Sequence, residues 1–362
     1  MNLGEGLKRM KLAPSSWNEL YETARRRAFK AAVKAPRRRV EAIRRIEAAR
    51  VRAAAMYTAS RLRGIALTSP FIDSLHPFYR ELLRTMIDVD EYRICLSRIY
   101  SVSKIVSRVA RESVAEIMRS RSSGEARRAR RRFFARLRSL LRGVDDCFKA
   151  VRSWQLEVLK LPSINPDEPS IIIAGAPNVG KSSLLRIISR AKPEVRPYPF
   201  TTKNITVGHL KLGGMRVQAI DTPGLLDRPL PEKNPVELRA VLAMKYLNGV
   251  IVYLFDPTTT CGFPLEFQLA VYRSIREMLG SVPMLVAANK VDIMSSEQAG
   301  GLLRMLESEA RRVVFISALT GSSVDLLLEE VANLLIKQEP ARELRGFNAV
   351  AVYEQNDRDA TT

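Results

Sequence analysis

Apolar positions recur at alternating steps of four and three through Phe133, Leu137, Leu140, Val144, Cys147, Val151, Trp154 and Val158. That spacing predicts one stripe along a long helix, with Arg138, Arg142, Lys149 and Arg152 on its other side. Leu96, Ile99, Val102, Val106 and Val109 repeat the habit, and alanine-rich helical stretches are expected from Trp17 to Ala35 and from Arg37 to Leu67. Pro36, the segment Thr68–Pro77 and the segment Ser120–Gly124 interrupt these patterns. The prediction is a bundle of long antiparallel helices, apolar seams inward and arginines outward. Aromatic residues on such a stripe are read as core rather than as a platform for stacked bases.

The pattern changes at Leu161–Ser170 (LPSINPDEPS), where prolines end the last helix. Beyond it, short apolar runs read as strands at Ser170–Gly175, Met215–Ile220 and Val282–Ala287, with another before Phe315. Asn204–Leu212 is expected to be an antiparallel edge strand. Alternation of strands and helices predicts a doubly wound, mostly parallel α/β sheet. The expected division is a helical domain over 1–163, an α/β domain over 164–340 and a short mobile tail over 341–362, with no internal repeat.

Candidate chemistry lies at the ends of those strands. Gly175–Ser182 reads GAPNVGKS, a phosphate-binding loop whose amides and following helix end would face an anion. Asn178, Val179, Gly180, Lys181, Ser182 and Ser183 are the expected contacts, with Lys181 reaching the β- and γ-phosphates and Ser182 holding Mg²⁺. Ala288–Asp292 reads ANKVD after a strand. The Asp292 carboxylate can accept from both N1 and N2 of guanine, which adenine does not match, so the expected nucleotide is GTP or GDP, with Asn289 and Lys290 beside it. Ser317 and the Ala318 amide, in FISAL, would close over the base. Asp221–Gly224 reads DTPG after a strand, placing Asp221 to hold Mg²⁺ through water and the Gly224 amide against the γ-phosphate. Thr201 and Thr202, in YPFTTK, supply a hydroxyl for Mg²⁺. Lys181, Thr202 and Gly224 are the expected catalytic group. Leu225 follows Gly224 where a Ras-type enzyme carries a water-orienting glutamine, so hydrolysis is expected to be slow without a partner or a cation. Asn178 either ligates K⁺ or only steadies the loop backbone.

GAPNVGKSSLL, YPFTTK followed by VGH, AIDTPGLLDRPL, FDPTTTCGFPLEFQ and ANKVD together resemble the Nog branch of the Obg-like GTPases, in a short archaeal-type form. The resemblance covers the second domain and extends into the helices before it. It implies a P-loop GTPase domain preceded by an all-α basic helical bundle, binding to the precursor of the large ribosomal subunit, and Thr202 rather than Thr201 as the Mg²⁺ ligand. Asn178 separately resembles the asparagine of GTPases in which K⁺ bridges the phosphates, which makes K⁺ a candidate second cation. KNPVELRAVLAMKYL, Lys233–Leu247, lacks a glutamine usual in the branch, which leaves the second switch segment open.

Charge sharpens that expectation. The net charge is +21 over 362 residues, and residues 1–160 carry all of the excess, with 37 Lys and Arg against 16 Asp and Glu. Arginine runs such as ARRRAF, PRRRV and EARRARRRFFARLRSLLR suit phosphates and exposed bases, so the helical domain is expected to dock on ribosomal RNA. No stretch is apolar enough to span a bilayer and the first 17 residues lack a secretory core. The expectation is a cytoplasmic, monomeric protein without a membrane partner. Cys95, Cys147 and Cys261 are scattered, and both disulfide and metal readings are disfavoured. Two other readings remain, a membrane-associated signalling GTPase and a nucleotide-binding scaffold with little turnover.

Overall fold

The structure is a computed structural model that describes residues 10–32, 39–159, 161, 164–189, 193–198, 204–229 and 233–338. Thr201, Thr202 and the segment 341–362 lie outside the described residues. The chain divides into two compact units, one of Met1–Leu75 with Met86–Leu159 and one of His76–Thr85 with Lys160–Thr362.

The first unit is helical: α1 (Trp17–Lys30), α2 (Arg39–Thr68), α4 (Val89–Arg119), α5 (Ser123–Arg142) and α6 (Asp145–Leu159). Side-chain caps set their starts. Ser16 accepts from the Glu19 amide, Asp88 from those of Asp90 and Glu91, and Ser122 from that of Glu125. α2 packs on α1, α4 and α5, burying Val51, Ala55, Leu62 and Ile65 against seams that include Ile99, Val106, Phe133 and Leu137. Small alanines on α2 let these long helices approach closely. The stripe from Phe133 to Val158 is not one helix: α5 is closed at Gly143, whose amide donates to Ser139 and Leu141 carbonyls, and the stripe continues on α6. A turn that preserves the apolar phase is invisible to periodicity. Cysteine pairing also differs from expectation. Cys95 on α4 and Cys147 on α6 form a disulfide with Cα atoms 4.9 Å apart, although 52 residues separate them, while Cys261 is free and buried. Spacing could not show this, because helix packing makes the pair.

The second unit holds a seven-stranded sheet in the order β2-β3-β4-β1-β5-β6-β7, from Glu194–Pro197 (β2), Asn204–Leu212 (β3), Met215–Asp221 (β4), Ser170–Ala174 (β1), Gly249–Phe255 (β5), Met284–Ala288 (β6) and Val313–Phe315 (β7). β4, β1, β5, β6 and β7 are parallel, and β3 runs antiparallel to β4. β3 is not the edge, because β2 pairs along its outer side. Pro197 within that short segment hid a strand that pattern reading passes over. β1 and β5 are buried along their whole length, as central parallel strands covered on both faces must be. Helices α7 (Lys181–Ile188), α8 (Pro235–Ala243), α9 (Leu265–Met278) and α10 (Ser296–Leu306) alternate with the strands, and a further helix occupies 324–338. α3 (Pro77–Met86) groups largely with this unit, although its sequence lies among the bundle helices. The Tyr79 hydroxyl donates to the Ile164 carbonyl, and Phe78, Leu82 and Leu83 are fully buried.

Candidate nucleotide-binding site

From β1 the chain leaves toward β2–β4 on one side, and after β4 it crosses to β5–β7 on the other. The carboxyl end of β1 therefore lies at the switch point where open α/β sheets take ligands. Every sequence-derived site segment within the described residues leaves the carboxyl end of one of these strands: Gly175 after β1, Asp221 ending β4, Asn289 after β6, and Ser317 shortly after β7.

The loop from Gly175 wraps back on itself. Gly175, Asn178 and Gly180 all have positive φ, at 139°, 61° and 107°. Gly180 is required twice over, by that conformation and because a Cβ there would collide with Asn289 Nδ2. Gly180 caps α7, so Lys181, Ser182 and Ser183 form the first helical turn, whose free amides carry the positive end of the helix. Lys181 is folded over the loop, its ammonium donating to the Gly175 and Ala176 carbonyls at 2.8 and 2.7 Å. The Asn178 amide donates weakly, at 3.4 Å, to the Cys261 carbonyl.

β1 and β4 are in register with Ile173 opposite Asp221, which sets Asp221 beside the start of the loop. The Ser182 hydroxyl donates to Asp221 Oδ2 at 2.5 Å, and Asp221 Oδ1 is buried without a hydrogen-bond partner. Burial raises the Asp221 carboxyl above its ordinary range, against the Ser182 hydroxyl, the Lys181 ammonium and the Thr222 amide, which pull it down. A buried carboxylate oxygen beside a hydroxyl fits a hard cation or its water. The residues present therefore suit Mg²⁺. The Thr222 hydroxyl donates to the Ile173 carbonyl and fixes the turn. The Gly224 amide is already occupied, donating to Asp227 at 2.7 Å, and Leu225 is buried in the core.

Asn289 ties three segments together. Its Nδ2 donates to the Val179 carbonyl and its Oδ1 accepts from the Ala318 amide, both at 2.8 Å. Phosphate loop, β6 loop and Ser317–Ala318 are thus locked through one buried side chain. Asp292 is exposed, and Ser317 is fully buried, accepting through its hydroxyl from the Thr320 amide. Sequence reasoning missed the group behind Lys290. The Lys290 ammonium donates to Asp256 Oδ2 at 2.7 Å and to Thr260 Oγ1 at 2.8 Å, while Thr258 and the Cys261 amide also donate to Asp256. Gln268 accepts from the Asp256 amide and donates to its carbonyl. A carboxylate directly after a wholly apolar strand, in FDPTTT, was the available signal.

Comparisons with known proteins identify relatives of the chain. The model of the NOG1 N-terminal helical domain matches residues 7–165, and that of nucleolar GTP-binding protein 1 (NOG1) matches residues 235–292. Nucleolar GTP-binding protein 1 of Caenorhabditis elegans is 34% identical over 282 residues, 77% of this chain and 41% of that protein. An uncharacterised protein of Methanocaldococcus jannaschii is 33% identical over 253 residues, 70% of this chain and 71% of that protein. The chain spans about two-fifths of the length of the nucleolar relatives it matches in Caenorhabditis elegans and Saccharomyces cerevisiae, at 41% and 39%. A crystal structure of a putative nucleolar GTP-binding protein 1 from Plasmodium falciparum is 32% identical, covering 54% of this chain and all of that one, with a TM-score of 0.45.

Proposed function

Because this chain belongs to the NOG1 family of nucleolar GTP-binding proteins, we propose that it is a GTP-binding, GTP-hydrolysing switch that docks through its basic helices on ribosomal RNA of the maturing large subunit. One observation carries the nucleotide part. The phosphate loop, the buried unpartnered oxygen of Asp221 and the Asn289–Asp292 loop converge at one end of one sheet.

In this reading Lys181 exchanges its two carbonyl acceptors for oxygens of the triphosphate, and the amides of the first turn of α7 hold the β-phosphate. Ser182, Asp221 and Thr202 would hold Mg²⁺. When bound, Mg²⁺ neutralises charge on the phosphate oxygens. Asp292 accepts the N1 and N2 hydrogens of guanine, and Asn289 keeps the base loop against the phosphate loop. Leu225 offers no hydrogen bond to a water, so turnover is slow unless a partner, or K⁺ beside Asn178, completes the site. The +21 balance supports RNA as the docking partner. The division into residues 1–163 and 164–340 is proposed as helical domain and G domain, acting in the cytoplasm as a monomer.

Competition titration of purified protein tests the base: GTP must displace labelled GDP far better than ATP does, and equal displacement ends the reading. Phosphate release in KCl against NaCl tests the cation, with equal rates removing K⁺. Sedimentation with ribosomal particles and with anionic liposomes tests the partner, recovery with liposomes alone overturning it.

A further inference from the structure

Arginine density along the chain points to α5, but three of its arginines pair with carboxylates of α2 and α4 and a fourth lies over an aromatic ring. Arg130 pairs with buried Glu47 at 2.5 Å, Arg132 pairs with Glu116, Arg136 lies 3.7 Å from Glu112, and Arg138 covers the Trp17 ring. The depression beside them, lined by Glu112, Glu116, Glu125, Arg119, Arg128 and Arg132, is of mixed sign. A polyanion meets a carboxylate for each guanidinium there.

The α1–α2 face differs. Two adjoining grooves of about 500 and 640 Å³ share Lys11, Met56 and Ser60, and among the described residues their charged lining is Lys11, Arg27, Lys30, Arg61 and Arg63 without a carboxylate. Among the described residues, Lys11, Arg27, Lys30 and Arg63 enter no ion pair within 4.0 Å. Arg61 is held by donating to the Leu12 carbonyl. Gly64 makes room for the Lys11 stem, since a Cβ there would meet Lys11 Cδ at 2.7 Å. The exposed Arg27 guanidinium lies 4.3 Å from the centre of the half-buried Tyr57 ring, leaving its outer face to solvent, and Met56 is 74% exposed nearby. Four uncompensated cations at the rim, with a planar cation already stacked on an aromatic, form a surface for alternating phosphates and bases.

We propose that this α1–α2 groove, rather than the arginine-dense α5, binds unpaired RNA, with a base stacked on Arg27 and phosphates held by Lys11, Lys30 and Arg63. The proposal rests on the RNA-docking reading above. It excludes an acidic peptide as the preferred occupant, because charge alone would make no use of the Arg27–Tyr57 stack.

The test is fluorescence anisotropy of the full chain with a labelled 12-nucleotide unstructured RNA, its duplex form, and anionic phosphatidylserine vesicles, across a salt series. Lys30→Gln with Arg63→Gln is compared with Arg132→Gln with Arg136→Gln, which changes the charge equally, and Arg27→Lys keeps charge but removes the stacking plane. Circular dichroism melts check that each variant is folded. The groove pair should lose about tenfold and flatten the salt slope by about 1.4, two contacts at about 0.7 each. Arg27→Lys should lose at least about fivefold with the slope unchanged. The α5 pair should stay within about twofold, and duplex should bind more weakly than single strand. Equal losses from both pairs, or none from the groove pair, overturn the groove while RNA docking stands. Failure of the unaltered protein to bind RNA at low salt, or tighter binding to vesicles, overturns docking as well.

Discussion

Asp227 holds the Gly224 amide, which in the function proposed above faces a γ-phosphate. Its carboxylate accepts from Gly224 at 2.7 Å and is itself buried, and Gly224 adopts φ 79° to present the amide. A GTP-bound state at this position requires one anion to replace another. Asp227→Asn weakens the competing bond and removes the like charge, so affinity for GTP should rise several-fold while that for GDP is unchanged. Parallel titrations with the two nucleotides check it, and equal shifts would show that Asp227 only shapes the turn. At this scale the sequence was legible in where several motif residues stand in the fold. Lys181, Ser182, Asp221 and Asn289 stand at the strand ends where their motifs placed them. Asp227 and Asp256 were not legible as partners, because what they bind is set by loop closure: Asp256 meets Lys290 across 34 positions of chain.

Asp256, Thr258, Thr260, Lys290 and Gln268 bind the β5–α9 connection to the β6 loop, so this group acts between elements. Burial alone would raise the Asp256 carboxyl, but the Lys290 ammonium, the Thr258 hydroxyl and the Cys261 amide outweigh it and hold it below the ordinary value of 3.8. A depressed carboxyl pKa contributes stability above the unfolded value, and that contribution is lost as pH falls through the folded one. Asp256→Asn, which strands Lys290 beside a neutral amide, should cost about 3 kcal/mol at pH 7. Urea melts should then show the gap between the two proteins narrowing as pH drops below 3.8, the ordinary carboxyl value. A gap that stays constant would mean that lost hydrogen bonds, not the ion pair, account for the cost. Element boundaries explain the other misreadings. Gly143 closes α5 without breaking the apolar stripe, and β2 is only four residues long and carries a proline. Long amphipathic helices and buried strands announce themselves; a turn that keeps phase, and a short strand carrying a proline, do not.

Across the whole molecule, the chain enters the second unit twice, since His76–Thr85 belongs there while the residues on either side belong to the helical unit. Two independent reagents should therefore address two sets of amides. Mg·GTP at about 100 times its dissociation constant stabilises the unit that binds it by about 2.7 kcal/mol. The Cys95–Cys147 link closes a separation of 52 residues within the helical unit, so Cys95→Ala with Cys147→Ala should destabilise that unit by about 2–4 kcal/mol. Hydrogen exchange resolves the two responses. Nucleotide should slow exchange in β1, β5 and α3, including the buried Phe78 and Leu82, while the cysteine variant should speed it in α4 and α6. α3 is the deciding element, because in sequence it lies between α2 and α4 and in contacts it groups largely with the second unit. If its amides followed the cysteine variant and ignored nucleotide, α3 would be part of the bundle's cooperative unit and the chain would divide near residue 160, where composition alone divides it.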